Sequence, residues 1–138
     1  MLYDNNNRGK IQHRERARQI IDFSGLRFGN ITPTDIDGLI EYKDTAYIFY
    51  EYKLVDIEMP KGQRLALERI ADNLQKAGKQ ATILVCVHNV TNSQNDIQAS
   101  EAIVREFYYC GRWIRDGRRT SKDITNSFLS MVRRKKPF

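Results

Sequence analysis

The stretch Thr32–Lys53, "TPTDIDGLIEYKDTAYIFYEYK", decides how the rest of the chain is read. Its tyrosines, isoleucines and phenylalanine are strand formers that usually bury at least one face. Asp37, Glu51 and Lys53 break into these runs, and a charge set among core residues carries a desolvation cost that something must offset. We read two strands, one from Asp37 to Tyr42 and one from Ala46 to Leu54, joined by Lys43, Asp44 and Thr45.

Strand side chains alternate between faces, so Glu51 and Lys53 leave on the same side, and Tyr50, Tyr52 and Leu54 on the other. If Tyr42 pairs with Ala46 across the three-residue loop, Asp37 falls directly opposite Glu51, with Cβ atoms about 4.5 to 5.5 Å apart. An even-numbered loop without a bulge would put Asp37 on the other face. Two carboxylates this close repel, and in a partly buried site either one pKa rises or a cation sits between them. Hard oxygen ligands with open water positions suit magnesium or manganese, with Asp37 and Glu51 as ligands and the backbone carbonyl of Tyr52 as a further one. Lys53 then stands beside the pair, where its ammonium can orient or help deprotonate a water, or steady charge on a phosphate. Asp35 shares a strand face with Asp37 if the strand starts early; the choice between them stays open, with the pairing favouring Asp37.

Outward from this hairpin, the segment to about Gly9 is polar and loose. "KIQHRERARQIIDFSGLRF" spaces Ile11, Ala17, Ile20 and Ile21 as a helix ending near Ser24 and Gly25. A short extended piece runs from about Leu26 to Ile31. Beyond the hairpin, Leu67, Ile70, Ala71 and Leu74 make one apolar stripe on a helix from about Gln63 to Ala77, with Gly78 as its stop. "ATILVCVH" is the continuous apolar run of a strand buried on both faces. Strand, helix, strand in that order implies a right-handed parallel crossover. "QNDIQASEAIV" admits helix or loop, "REFYYCGRWI" a strand or hairpin bending at Gly111, and "TSKDITNSFLSMV" a terminal helix whose Thr120 and Asp123 resemble a capping box. The end from about residue 133 to residue 138 is a basic tail. No internal repeat or linker interrupts residues 1–138, so a single domain is expected.

The chain has 138 residues with 41% hydrophobic content, enough for one core, and 23 Lys plus Arg against 17 Asp plus Glu give a net charge of +6. That balance favours an anionic partner, nucleic acid ahead of a membrane surface. Arg8, Lys10, Arg14 and Arg18 flank Glu15 and are candidate phosphate contacts. Arg112 and Arg115, with Arg118 and Arg119, form a second basic group around Trp113. Cys86 and Cys110 lack disulfide-framework or zinc spacing, which points to a reducing, cytoplasmic compartment. No apolar run suits a signal peptide or membrane span.

"TDIDGLIEY" followed by "FYEYK" resembles the Asp, then Glu-x-Lys signature of the PD-(D/E)XK nuclease superfamily, the restriction-endonuclease-like fold. Small Holliday-junction resolvases of the archaeal type and phage nucleases of the VRR-NUC kind are the most similar in layout, over roughly Arg8 to His88. The resemblance implies an α/β domain with a mixed central sheet flanked by helices, in a helix-strand-strand-strand-helix-strand core. It also implies a Mg2+- or Mn2+-dependent endodeoxyribonuclease that binds DNA as a homodimer, with Asp37 and Glu51 as metal ligands and Lys53 as the catalytic lysine. Two further positions fit the family pattern: Glu15 on the first helix, and Gln63 at the start of the helix after the signature. "PTDID" in place of Pro-Asp is a departure, and it bears on the choice between Asp35 and Asp37. Two other classes compete: a nucleic-acid-binding module with a nuclease-like fold but no turnover, and an assembly protein using its basic faces for protein contacts.

Overall fold

In β2, Ala46–Leu54, nearly every side chain is buried or half-buried, because the strand is covered on both faces and paired on both edges. The computed structural model describes residues 9–134 and 138. They fall into two units, Met1–Pro33 and Thr34–Phe138.

In the first unit the expected long helix shrinks to α1, Arg14–Ala17, four residues with none buried. The apolar positions that suggested it find no core: Ile20 is 91% and Ile21 74% exposed. A helix shorter than about 12 residues is marginal without packing. The expected extended piece is likewise corrected to a tight turn, in which Phe28 and Ile31 exchange backbone hydrogen bonds of 2.9 and 3.0 Å.

The second unit is an α/β fold built on a five-stranded open mixed sheet in the order β1-β2-β3-β4-β5. β1, Gly38–Tyr42, pairs antiparallel with β2, and Tyr42 meets Ala46 as expected from the three-residue loop. Lys43 and Asp44 turn the chain through the left-handed region (φ 48° and 57°), where aspartate is tolerated because its side chain bonds locally. The Lys79 ammonium secures the turn, 2.6 Å from the Asp44 carbonyl oxygen.

The chain then crosses through α2, Lys61–Lys76, into β3, Gln80–His88, which runs parallel to β2. α2 ends in a Schellman turn: Gly78 (φ 84°) donates to Gln75 and Lys79 to Leu74. Its inward stripe is centred on Leu67 and Ala71, with Leu74 against the core. Ile70, expected in that stripe, lies at its margin, 40% exposed. "QNDIQASEAIV" begins as loop with one 3-10 turn, Ala99–Glu101, and continues into β4, Ile103–Tyr109. β4 forms a hairpin with β5, Arg112–Arg115, through Cys110 and Gly111.

β4 carries a bulge: Val85 pairs with Glu106 but Cys86 with Val104, so Arg105 is the extra residue. Glu106 therefore faces the α2 side while Val104 and Phe107 join the opposite core. α3, Ser121–Arg134, covers that opposite face through Ile124 and Phe128, both fully buried. Two cores result, one between the sheet and α2 and one between the sheet and α3.

The capping box is present in both directions, with Asp123 N–H donating to Thr120 Oγ1 and Thr120 N–H to Asp123 Oδ2, each at 3.1 Å. Thr120→Ala is expected to cost about 1 kcal/mol. In urea unfolding, adding Asp123→Ala should cost little more, because the two bonds form one reciprocal unit; fully additive losses would refute that coupling.

Candidate active site

The strand register continues one step past β1 and sets Asp37 beside the carboxyl half of β2. Tyr52 N–H donates to Asp37 Oδ2 at 2.8 Å. Because a strand residue aims its N–H and C=O toward the same neighbour, the Tyr52 carbonyl also faces Asp37. The Tyr52 side chain leaves on the α3 side, its hydroxyl 3.2 Å from Ser121 Oγ, so only its backbone belongs to the site. Asp35 contributes backbone as well: its carbonyl accepts from Gln63 Nε2 at 3.1 Å, while its side chain is exposed.

Glu51 and Lys53 emerge on the α2 side, where Gln63, in the first turn of α2, meets both. Gln63 Nε2 donates to Glu51 Oε2 at 2.9 Å, and Gln63 Oε1 accepts from Lys53 Nζ at 3.3 Å. With both N–H groups directed at acceptors and its oxygen at a cation, the amide has one orientation only. Lys53 Nζ also lies 3.7 Å from Glu51 Oε2.

Glu51 is completely buried, and its Oε1 has no hydrogen-bond partner. A buried acceptor left open is costly in a fold that otherwise satisfies its polar groups, and it marks where a ligand can bind. Burial first, and then the Asp37 charge, push the Glu51 carboxyl from about 4.5 up to about 7, against the pull of Lys53.

Among the described residues, no group of three or more His, Cys, Asp or Glu side chains is arranged to hold a metal ion. The donors that could hold one are two carboxylates, Asp37 and Glu51, and the Tyr52 carbonyl. That set fits a hard divalent ion that keeps several waters, as magnesium does.

The other sequence candidates fall elsewhere. Glu15 is exposed on α1 in the first unit, 3.8 Å from His13 Nδ1. Lys10, Arg14 and Arg18 are exposed in the same unit, and Arg8 lies outside the described residues. Arg112 and Arg115 are exposed at the two ends of β5. Being three apart on a strand, they leave on opposite faces. Arg115 pairs with Glu106, which pairs with Val85 and so with Glu51, placing it at the far end of the row that contains the site.

Trp113, read in the sequence as the centre of that basic group, is engaged with α2. Its Nε1–H donates to Glu68 at 2.6 Å, and the Arg64 guanidinium stacks 4.0 Å from its ring centroid while pairing with Glu106 at 2.9 Å. Arg64 thereby fixes the helix turn that carries Gln63. Sequence reasoning did not find this role, because its partners come from β4 and β5, more than 40 residues away.

No family model, curated protein or solved structure matches this chain.

Between roughly pH 4.5 and 7 the folded protein holds a proton on Glu51 that the unfolded chain has released. Stability from this group therefore falls as pH rises through that window. Glu51→Gln should remove the fall and gain on the wild type by about 1 to 3 kcal/mol between pH 5 and pH 8. Urea unfolding at intervals across that range measures it; a constant difference would mean that Glu51 does not titrate there.

Proposed function

We propose that the chain is a divalent-metal-dependent deoxyribonuclease of the PD-(D/E)XK type, with the restriction-endonuclease-like fold, acting as an endonuclease on duplex or branched DNA in the cytoplasm. The observation that carries this reading is the convergence of Asp37, Lys53 and Gln63 on the Glu51 carboxyl, whose other oxygen is buried and unpartnered. A structural role leaves the cost of that oxygen unexplained. A divalent cation held there would offset that cost, and the net charge of +6 supports a polyanionic substrate.

In this reading Asp37, Glu51 and the Tyr52 carbonyl hold Mg2+ or Mn2+. When bound, the ion supplies Lewis-acid stabilisation of phosphate charge and a more acidic water. Gln63 fixes the Glu51 carboxylate and the Lys53 ammonium relative to each other. Lys53 steadies the attacking water and the charge that develops on the phosphate. The water oxygen bonds to phosphorus, one P–O ester bond breaks, and the leaving oxygen takes up a proton. Arg115, at the far end of the row that contains the site, is a candidate phosphate contact, as are Lys10, Arg14 and Arg18 within the first unit. A homodimer would let two such sites act on two strands.

The test is incubation of the purified protein with labelled linear, flap and four-way-junction DNAs in magnesium, manganese or chelator. Cleavage should require metal and fall at least 100-fold in Asp37→Ala, Glu51→Ala and Lys53→Ala, a loss expected when a group stabilising the transition state is removed. DNA binding in chelator should change little in the same variants. Failure to cut any substrate in either metal would sink the catalytic reading, and salt-sensitive binding without cutting would favour a non-catalytic module.

The metal contribution has its own readout. Magnesium should raise the melting temperature more at pH 8 than at pH 5, because the ion competes with a proton for Glu51, and Asp37→Ala should abolish the rise. An equal rise at both pH values would place the ion elsewhere.

A further inference from the structure

A second concave feature lies at the carboxyl ends of the parallel pair β2 and β3, the position where open α/β sheets commonly take ligands. It is a cavity of about 450 Å³, within the roughly 300 to 1,000 Å³ of small-molecule sites. Its apolar walls come from Val55 just past β2, Val87 on β3, Val90 and Ile97 in the following loop, and Ile103 at the start of β4. Val87 is the direct strand neighbour of Lys53. The cavity therefore begins about 4.8 Å, one strand spacing, from the row of the candidate catalytic lysine.

The polar lining narrows what can enter. Among the described residues the polar lining includes Glu101, Asn89 and Gln98. The Glu101 carboxylate disfavours a phosphate here, although the protein as a whole is basic. The suitable ligand is a flat, largely apolar group carrying N–H donors. His88 adds the complementary donor: its Nδ1 accepts from Val90 N–H at 3.1 Å, so the neutral ring carries its proton on Nε2.

We infer that this cavity receives an unstacked nucleobase of the DNA strand whose phosphate lies at Glu51 and Lys53, with preference for the amino-bearing bases adenine, guanine and cytosine. This rests on the nuclease reading. The Glu101 carboxylate and the side-chain amides of Asn89 and Gln98 accept from exocyclic amino groups, His88 donates to a ring nitrogen or carbonyl oxygen, and the valines and isoleucines cover the base faces. An unstacked base costs a few kcal/mol to extrude from a duplex and much less at a junction, flap or end. The cavity thus favours branched or frayed substrates over continuous duplex.

The experiment is an amide and imidazole NMR titration of the intact protein, in chelator, with each of the four deoxynucleosides. Deoxyadenosine, deoxyguanosine and deoxycytidine should give saturable shifts at His88 and Ile97, with thymidine weaker. Ile97→Trp, a substitution at a 43%-exposed loop position that would fill the cavity, should abolish them. Glu101→Gln, at an exposed position, should weaken binding of the amino-bearing nucleosides about fivefold. Absence of saturable shifts, or their survival in Ile97→Trp, would overturn the base site. Since nucleoside binding needs no turnover, DNA cleavage without nucleoside shifts refutes the cavity alone. Nucleoside shifts without cleavage of any DNA refute the nuclease reading and leave the base site standing.

Discussion

The hydrogen bond from Gln63 to Glu51 is the interaction on which the rest of the second unit's design depends. A carboxylate with no solvent exposure can be kept in a folded protein only if partners replace its water. Here one oxygen is held by Gln63 and approached by Lys53, while the other is left open. That requires the first turn of α2 to lie against the carboxyl half of β2. It is held there from two sides: Gln63 bonds the Asp35 carbonyl ahead of β1, and Arg64, the next residue, is clamped between Glu106 and the Trp113 ring. The bulge at Arg105 is part of the same requirement, because without it Glu106 would face α3 and Arg64 would lose its ion pair.

The two sheet faces divide the work. The α3 side is an apolar and aromatic core in which Phe128 packs edge-on to Tyr109 and Phe138, and Tyr50 and Tyr52 stack in parallel. Among the described residues it contains no buried charged side chain, so it can be tightly packed. The α2 side combines a smaller apolar cluster, around Leu67, Ala71 and Ile83, with the ionisable side chains of Glu51, Lys53, Arg64 and Glu106 along its margin. Tight apolar packing lies on one side and the charged cluster on the other, and β2 belongs to both by simple alternation.

That alternation is why the hairpin was legible from sequence. Once a three-residue loop is assumed, the pairing of Tyr42 with Ala46 leaves no freedom for Asp37, Glu51 and Lys53. Gly78 and the Thr120–Asp123 box were legible for a similar reason, since each acts within one turn of chain. Periodicity misled at the first helix: Ile11, Ala17, Ile20 and Ile21 have helical spacing, but spacing produces a helix only where a core receives the stripe. Two features carry no sequence signal at all. The Asp35 carbonyl serves the site through an atom that every residue possesses. Trp113 sits among arginines in sequence, yet its ring partner is Arg64, brought by α2 from the other side of β3.

The parallel pairing of β2 and β3 has a consequence for how a charged site and an uncharged cavity can be neighbours. Parallel strands end together, so Leu54 and His88 leave the sheet side by side, and Val55 N–H closes the edge by donating to the His88 carbonyl at 2.7 Å. On one side of that edge stand Lys53 and the two carboxylates; on the other lie Val87, Val90 and Ile97. A polyanion is attracted to the lysine and repelled by Glu101, whereas a base is indifferent to the first and served by the second. In the proposed reading the two halves of a nucleotide would thus be sorted across a single strand spacing, by positive charge at one position and by Glu101 and an apolar surface at the next.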